Sequence, residues 1–290
     1  MLQMVFIAAE TVISPLSTKE KLPLVAASRY LNSAPLIWSF VHGSRKGTIN
    51  LIDPVPARCA QLLEEGAVEA ALIPVIEYQR IPDISLIPDV CVGSKGNVRS
   101  VVLVTRIQDL REVRSVALDE SSCTSAALMK VIFLEFLKVE PKWVTSAPNV
   151  DRMLKDHDAA LIIGDPAMTF ARDDLRIVDM ASLWREYTGL GFVFAVWAVR
   201  VSEVHKLAHV DFTAARDEGL ERIESILSQY EKEIPLSREE LKEYLTDDIT
   251  FHIDENMEQG MKLYFDLAYK HRLIEQVKPS RFVHLTAELR

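Results

Sequence analysis

Residues 66–75 read GAVEAALIPV and residues 156–168 read DHDAALIIGDPAM. Each contains the run AALI, small and branched apolar residues with no polar position to mark a solvent face, and each passes at once into a helix start. A short apolar run bounded in this way is the pattern of a strand buried on both faces, as in a parallel sheet covered by helices. The echo predicts that each run closes the same position in one of two similar units. It is short and such strands are common, so coincidence is the competing reading.

Working outward, strand-like and helix-like segments alternate. Strands are expected at 22–28, 48–53 and 70–74, with helices over 35–42, 57–65 and up to Gln79. Two extended runs follow, ISLIPDVCV (84–92) and VRSVVLVTR (98–106), and then the alternation restarts. Strands at 113–118, 143–146 and 159–163 are interleaved with helices at 124–137 and 150–155, ahead of a long apolar strand at 191–200. From Glu203 onward apolar residues recur at helical spacing among many charges. The restart favours two α/β lobes joined by crossing strands, with a ligand cleft between them where strand ends and helix starts converge. The expected boundaries are a poorly ordered leader over 1–21, a first lobe of 22–103 plus 201–290, and a second lobe of 104–200.

The 290 residues fit roughly two domains of ~150 residues, and 49% apolar with 26% charged residues is an ordinary globular mixture. A net charge of −9, from 42 acidic and 33 basic residues, argues against non-specific nucleic-acid binding. An anionic small molecule is compatible with it if a local cluster of donors or a helix start receives the charge. No run of about 18 apolar residues offers a membrane span. The three cysteines, Cys59, Cys91 and Cys123, form no CxxC pair and no Cys/His cluster, so neither a zinc site nor a cofactor is expected. Unpaired thiols and the lack of an export signal point to the cytoplasm.

Four stretches carry candidate chemistry. In SRYLNSAPLIW (28–38), Asn32 and Ser33 stand between a strand and a helix opened by Pro35. One of them can cap that helix, and Asn32, able to donate and accept together, can also reach a ligand. In GSKGNVRSVVLVTR (93–106), strand alternation places Arg99 with Val101, and Ser100 with Val102. Ser100 needs a partner in so apolar a run, either neighbouring backbone or a ligand at the cleft floor. In LDESSCTSAALMKVIF (118–133), Ser121, Ser122, Thr124 and Ser125 precede an apolar-periodic helix, more hydroxyls than a cap requires, and the helix start favours a carboxylate. In Gly164-Asp165-Pro166 the Asp–Pro pair reads as a helix cap, while Gly164 lets a ligand approach the backbone. Absent are a Gly-x-Ser-x-Gly elbow, a Walker loop, HExxH and a dinucleotide fingerprint. A binding protein would look like this, as would an enzyme working by positioning and hydrogen bonding.

In combination, YLNSAPLIW (30–38), AALIPVIEY (70–78), VRSVVLVTR (98–106), SSCTSAALMKVI (121–132), AALIIGDPAM (159–168) and WREYTGLGFVFAVW (184–197) resemble the chorismate dehydratase family of the futalosine route to menaquinone. These segments run in the family's order and cover roughly residues 22–200. The resemblance implies the two-lobed fold of type II periplasmic binding proteins and the loss of water from chorismate to give 3-[(1-carboxyvinyl)oxy]benzoate. It implies catalytic roles for Asn32 and Ser100. Ser33, Arg99, Ser122, Thr124, Ser125 and Gly164 are the expected contacts to a small dicarboxylate substrate, in a monomer or homodimer. Cys123 and Gly191 stand where the family's pattern usually has Arg and Pro. A dihydroxynaphthoate-releasing enzyme of the same pathway and a non-catalytic carboxylate-binding protein remain the alternative readings.

Overall fold

The computed structural model describes residues 21–171 and 174–285; most of the expected leader, 1–20, lies outside them. The chain opens with β1 (Leu24–Ala26), a single 3-10 turn (Leu31–Ser33), α1 (Ala34–Val41), β2 (Asn50–Ile52), α2 (Pro56–Glu64), β3 (Ala70–Pro74), α3 (Glu77–Arg80) and β4 (Ile84–Ser94). It continues through β5 (Val101–Thr105), β6 (Ser115–Asp119), α4 (Thr124–Val131), β7 (Lys142–Ser146), α5 (Val150–Asp156), β8 (Ala159–Ile163), α6 (Pro166–Thr169), β9 (Arg176–Asp179), α7 (Met180–Thr188) and β10 (Phe192–Arg200). The C-terminal part is helical: α8 (Phe212–Glu221), α9 (Ile223–Tyr230), α10 (Arg238–Glu243), a π turn over Tyr244–Asp248, and α11 (Glu255–Lys270).

The strands form two five-stranded sheets, ordered β2-β1-β3-β10-β4 and β7-β6-β8-β5-β9. The AALI echo is real at the level of architecture. β3 lies parallel to β1 and antiparallel to β10, and β8 lies parallel to β6 and antiparallel to β5, so the two runs hold the same central position. All five β3 residues are buried, which is why the run carries no polar position. This is the two-lobed α/β arrangement expected from the alternation.

Both crossings between the sheets fall earlier than the expected boundaries. Val101 already pairs with Ile163 in the second sheet, and Phe192–Arg200 pairs with β3 and β4 in the first rather than closing the second. Apolar alternation marks 98–106 and 191–200 as strands, but either sheet would bury them equally well. The strand β9 and the helix α7 behind it went unforeseen, because β9 is a four-residue, half-buried edge strand with little periodic signal. The helix expected over 124–137 changes at Ile132 into a π turn that ends on Lys138 in the left-handed region (φ 58°).

The C-terminal helices lock this framework. α8 packs on α1 so closely that a Cβ on Gly219 would fall 1.8 Å from the Pro35 carbonyl oxygen. On α11, Tyr264 is fully buried and its hydroxyl donates to the Thr124 carbonyl at 2.9 Å, fixing the start of α4 from behind. Asn256, also on α11, accepts from Gly191 N–H at 2.7 Å at the return crossing. The outgoing crossing is held by Asp179, whose Oδ2 accepts from the Val98 and Arg99 N–H groups at 2.9 and 2.7 Å. Its Oδ1 accepts from Ala181 and Ser182 as the cap of α7.

Candidate active site

Between the sheets lies a cleft of about 600 Å³, counting the space at its open mouth. The first lobe contributes Tyr30, Asn32, Leu72 and Phe194, and the second contributes Val101, Ser122, Cys123, Thr124, Ser125 and Gly164. None of its lining residues carries a charged side chain. Among the described residues, no group of three or more His, Cys, Asp or Glu side chains is arranged to hold a metal ion.

Asn32 reaches the cleft because β1 ends in the 3-10 turn Leu31–Ser33. Ser33 also lines the cleft, but neither side chain caps α1. The Ser33 hydroxyl is buried and turned back onto the carbonyls of Ser28 and Tyr30, which fixes the turn rather than the helix. The expected cap at Asp165 is likewise overturned. Its side chain makes no cap bond to α6; Oδ1 accepts instead from the Leu31 N–H of the opposite lobe at 3.2 Å. Gly164, at φ +68°, lies against the Tyr30 ring, where a Cβ would come within 3.2 Å of it. Burial, and then the carboxylates of Asp119 and Asp165, raise the Tyr30 pKa, while a hydrogen bond with Ser121 opposes them.

Facing Asn32 is the start of α4. Ser121 is committed to Asp119, its N–H and hydroxyl reaching Oδ1 at 2.9 and 2.6 Å. The Thr124 hydroxyl accepts from Ile76 N–H at 3.3 Å. Ser125 is buried and borders the cleft. Ser122 stands apart: it is 7% exposed, borders the cleft, and its Oγ has no hydrogen-bond partner among the described residues. A buried hydroxyl left unpartnered costs roughly 1–3 kcal/mol, which a ligand acceptor would recover. With the open N–H groups and positive dipole of a helix start beside it, this corner suits a carboxylate. Cys123 occupies the cap position without a side-chain cap bond, and burial followed by the nearby Glu77 carboxylate pushes its thiol up to about 12.

Two residues expected at the cleft are placed elsewhere. Arg99 does not join the lining; its backbone is left-handed (φ 54°), which breaks the strand alternation that had aligned it with Val101. Its guanidinium faces Glu243 and Asp248 at 3.5 and 3.7 Å on the C-terminal helices. Ser100 is fully buried behind the cleft wall, where its Oγ accepts from the Tyr244 hydroxyl at 2.7 Å and its carbonyl accepts from Gly164 N–H at 2.8 Å. Tyr244 and Asp179 were not legible as site residues, since no local pattern connects them to positions about 144 and 80 residues away.

Two lobes with a cleft at their junction define the class of periplasmic-binding-protein-like folds. The chain shares this fold with the Candida albicans CA3427 gene product, described as having the generic periplasmic binding protein fold (TM-score 0.62, 15% identity, 93% of this chain and all of the other). Protein AF1704 from Archaeoglobus fulgidus is also similar, with a TM-score of 0.70, 17% identity, and coverage of 87% of this chain and 98% of that one. The chain belongs to the menaquinone biosynthesis family, whose profile matches residues 23–270. It is 29% identical to the chorismate dehydratase of Thermus thermophilus, over 81% of this chain and 91% of that protein.

Proposed function

We propose that the protein is a hydro-lyase that removes water from chorismate to give 3-[(1-carboxyvinyl)oxy]benzoate, in menaquinone biosynthesis. The observation that carries this reading is the uncharged cleft in which Asn32 faces the hydroxyl-rich start of α4. The similarity to a chorismate dehydratase over most of both chains supports it. A dicarboxylate bound there is held by neutral donors, with one carboxylate against Ser122 and the first turn of α4.

The chemistry suits such a site. The ring C3 proton is vinylogous to the ring carboxylate, so its removal leaves an anion delocalised onto that carboxylate. Loss of the C4 hydroxyl then aromatises the ring. That proton and that hydroxyl lie on the same face of trans-substituted chorismate, which disfavours concerted anti elimination and favours the stepwise route. Donors at the helix start stabilise the charge as it develops, and Asn32 holds the enolpyruvyl group and leaving hydroxyl in register. No carboxylate or imidazole belongs to the lining, so the substrate's own enolpyruvyl carboxylate is assigned as base. It takes the C3 proton and gives it to the hydroxide leaving C4, which departs as water, so the carboxylate ends the reaction ionised as it began. A cytoplasmic location fits the three free cysteines.

The test is direct. Purified protein mixed with chorismate should deplete it and yield a product one water lighter, and Asn32→Ala should lower kcat/KM by about a hundredfold or more. Binding without turnover would move the assignment to a carrier or sensor. Absence of both would favour the later, dihydroxynaphthoate-releasing step.

A further inference from the structure

Ser121, the first hydroxyl of the cluster before α4, borders the cleft with its hydrogen already placed. Its Oγ lies 2.6 Å from Oδ1 of Asp119, and its backbone N–H donates to the same oxygen at 2.9 Å. Asp119 ends β6 and is 2% exposed, and its Oδ2 accepts from Ile163 N–H at 3.4 Å. Both carboxylate oxygens are thus met by donors, as suits an ionised carboxylate, which can only accept. That fixes the direction of the side-chain bond: the Ser121 hydroxyl donates and Asp119 accepts, in the charge-assisted pairing that is the stronger kind. A ligand reaching Ser121 Oγ from the cleft therefore meets lone pairs alone. The Tyr30 phenol, also in the lining, can use one of the two at most.

The neighbouring hydroxyls have the opposite polarity. Ser122 Oγ has no partner among the described residues, so its hydrogen is free to give. Thr124 Oγ1 accepts from Ile76 N–H at 3.3 Å, which leaves its hydrogen free as well. Those two suit a carboxylate, whereas a carboxylate placed on Ser121 would set lone pair against lone pair. The group that fits Ser121 is a donor. Chorismate carries a single alcohol, the C4 hydroxyl that leaves in the dehydration.

We propose that Ser121, its hydrogen held by Asp119, accepts a hydrogen bond from the C4 hydroxyl of the substrate, and so selects a dicarboxylate that carries a hydroxyl. This rests on the dehydratase reading of the same cleft. The bond also orients the leaving group. With its own hydrogen on Ser121, the C4 oxygen keeps its lone pairs for the enolpyruvyl carboxyl. As the C4–O bond breaks, its electron pair goes to the oxygen, which takes the proton removed from C3 and departs as water. The electron pair left at C3 closes the C3–C4 double bond. The product keeps both carboxylates and has no hydroxyl, so it forgoes the contact with Ser121.

The substrate and the product together make the test. Ser121→Ala should lower kcat/KM for chorismate by about tenfold, the loss of one hydrogen bond at the reacting group. The inhibition constant of added 3-[(1-carboxyvinyl)oxy]benzoate should stay within about twofold. Ser121→Cys is close in size and keeps a hydrogen for Asp119, but sulfur is a weak acceptor. It should show the same asymmetry, and it carries the test if the alanine variant does not fold. Losses of similar size in both quantities would make Ser121 a carboxylate or structural contact. A kcat/KM within about twofold of the unsubstituted protein would leave the C4 hydroxyl without this partner. Either result overturns the proposal. If the unsubstituted protein leaves chorismate intact, the dehydratase reading fails by itself, and calorimetric titration of both ligands takes over. Chorismate binding weakened in Ser121→Ala with product binding unchanged would uphold the acceptor role. Equal changes for the two ligands, or no binding of either by the unsubstituted protein, would refute it.

Discussion

The backbone N–H of Leu31 donates to Oδ1 of Asp165 at 3.2 Å, so a turn of the first lobe is tied to the end of β8 in the second. One residue to either side, the same contact brings Tyr30 onto Gly164 and sets Asn32 at the cleft. The two lobes are thus joined at the site itself and not only through the crossing segments. Burial pushes the Asp165 carboxyl up to about 6; the Leu31 N–H opposes this and Glu233 adds to it.

The sign of the consequence follows from linkage. Folded Asp165 holds its proton more tightly than the unfolded chain, whose carboxyl titrates near 3.8. Its contribution is therefore most favourable below about pH 4, declines as pH rises to about 6, and is a constant penalty above that. Asp165→Asn keeps an oxygen for Leu31 and removes the charge. The variant should be more stable than the unsubstituted protein by about 1–3 kcal/mol at pH 8, with the difference closing toward pH 4. Urea unfolding at the two pH values measures this, and a less stable variant at pH 8 would show that the ionised carboxylate is needed by the contact.

Gly164→Ala tests the other half of the contact. A left-handed backbone costs a non-glycine residue about 1–2 kcal/mol, and here the added Cβ also meets the Tyr30 ring at 3.2–3.3 Å. The expected result is a stability loss of about 1–3 kcal/mol with a raised KM, as Tyr30 is displaced toward the cleft. An unchanged KM would separate the Tyr30 position from ligand binding.

What was legible in the sequence was whatever a local pattern could encode. The AALI strands, most strand and helix positions, and the hydroxyl cluster before α4 follow from burial and periodicity over a few residues. The role of Asp165 was misread because Asp–Pro is a good cap in isolation, and only the opposing lobe provides the Leu31 N–H that competes for it. Arg99 was misread because strand alternation was extended through residues 98–100, where the left-handed backbone interrupts it. Tyr244 had no local signal at all, since its partners come from the far end of the chain.

The cysteines should be unreactive in the folded protein. Burial pushes the thiols of Cys59 and Cys123 up to about 12 and raises Cys91 as well. At pH 8 the thiolate fraction of the first two is about a thousandfold below that of a free cysteine. Iodoacetamide should therefore label none of the three within the time that labels all of them in urea, as read by intact mass. Rapid labelling of Cys123 in the folded protein would mean that the start of α4 opens readily.

Ser122 gives a test in which stability and function move apart. Its hydroxyl is buried, borders the cleft and has no partner among the described residues. Removing an unpartnered buried hydroxyl relieves a desolvation cost, so Ser122→Ala should leave the protein as stable as before or more stable by up to about 1 kcal/mol. If that hydroxyl donates to a substrate carboxylate, the same variant should bind chorismate about 10-fold more weakly, the loss of one charge-assisted hydrogen bond. Ser122→Asp places a negative charge at the carboxylate corner and should lose binding more severely through repulsion, whatever its effect on the helix start. Thermal unfolding without substrate and KM with chorismate separate these terms. A Ser122→Ala protein with lowered stability and unchanged KM would assign the hydroxyl to the fold and move the carboxylate away from α4.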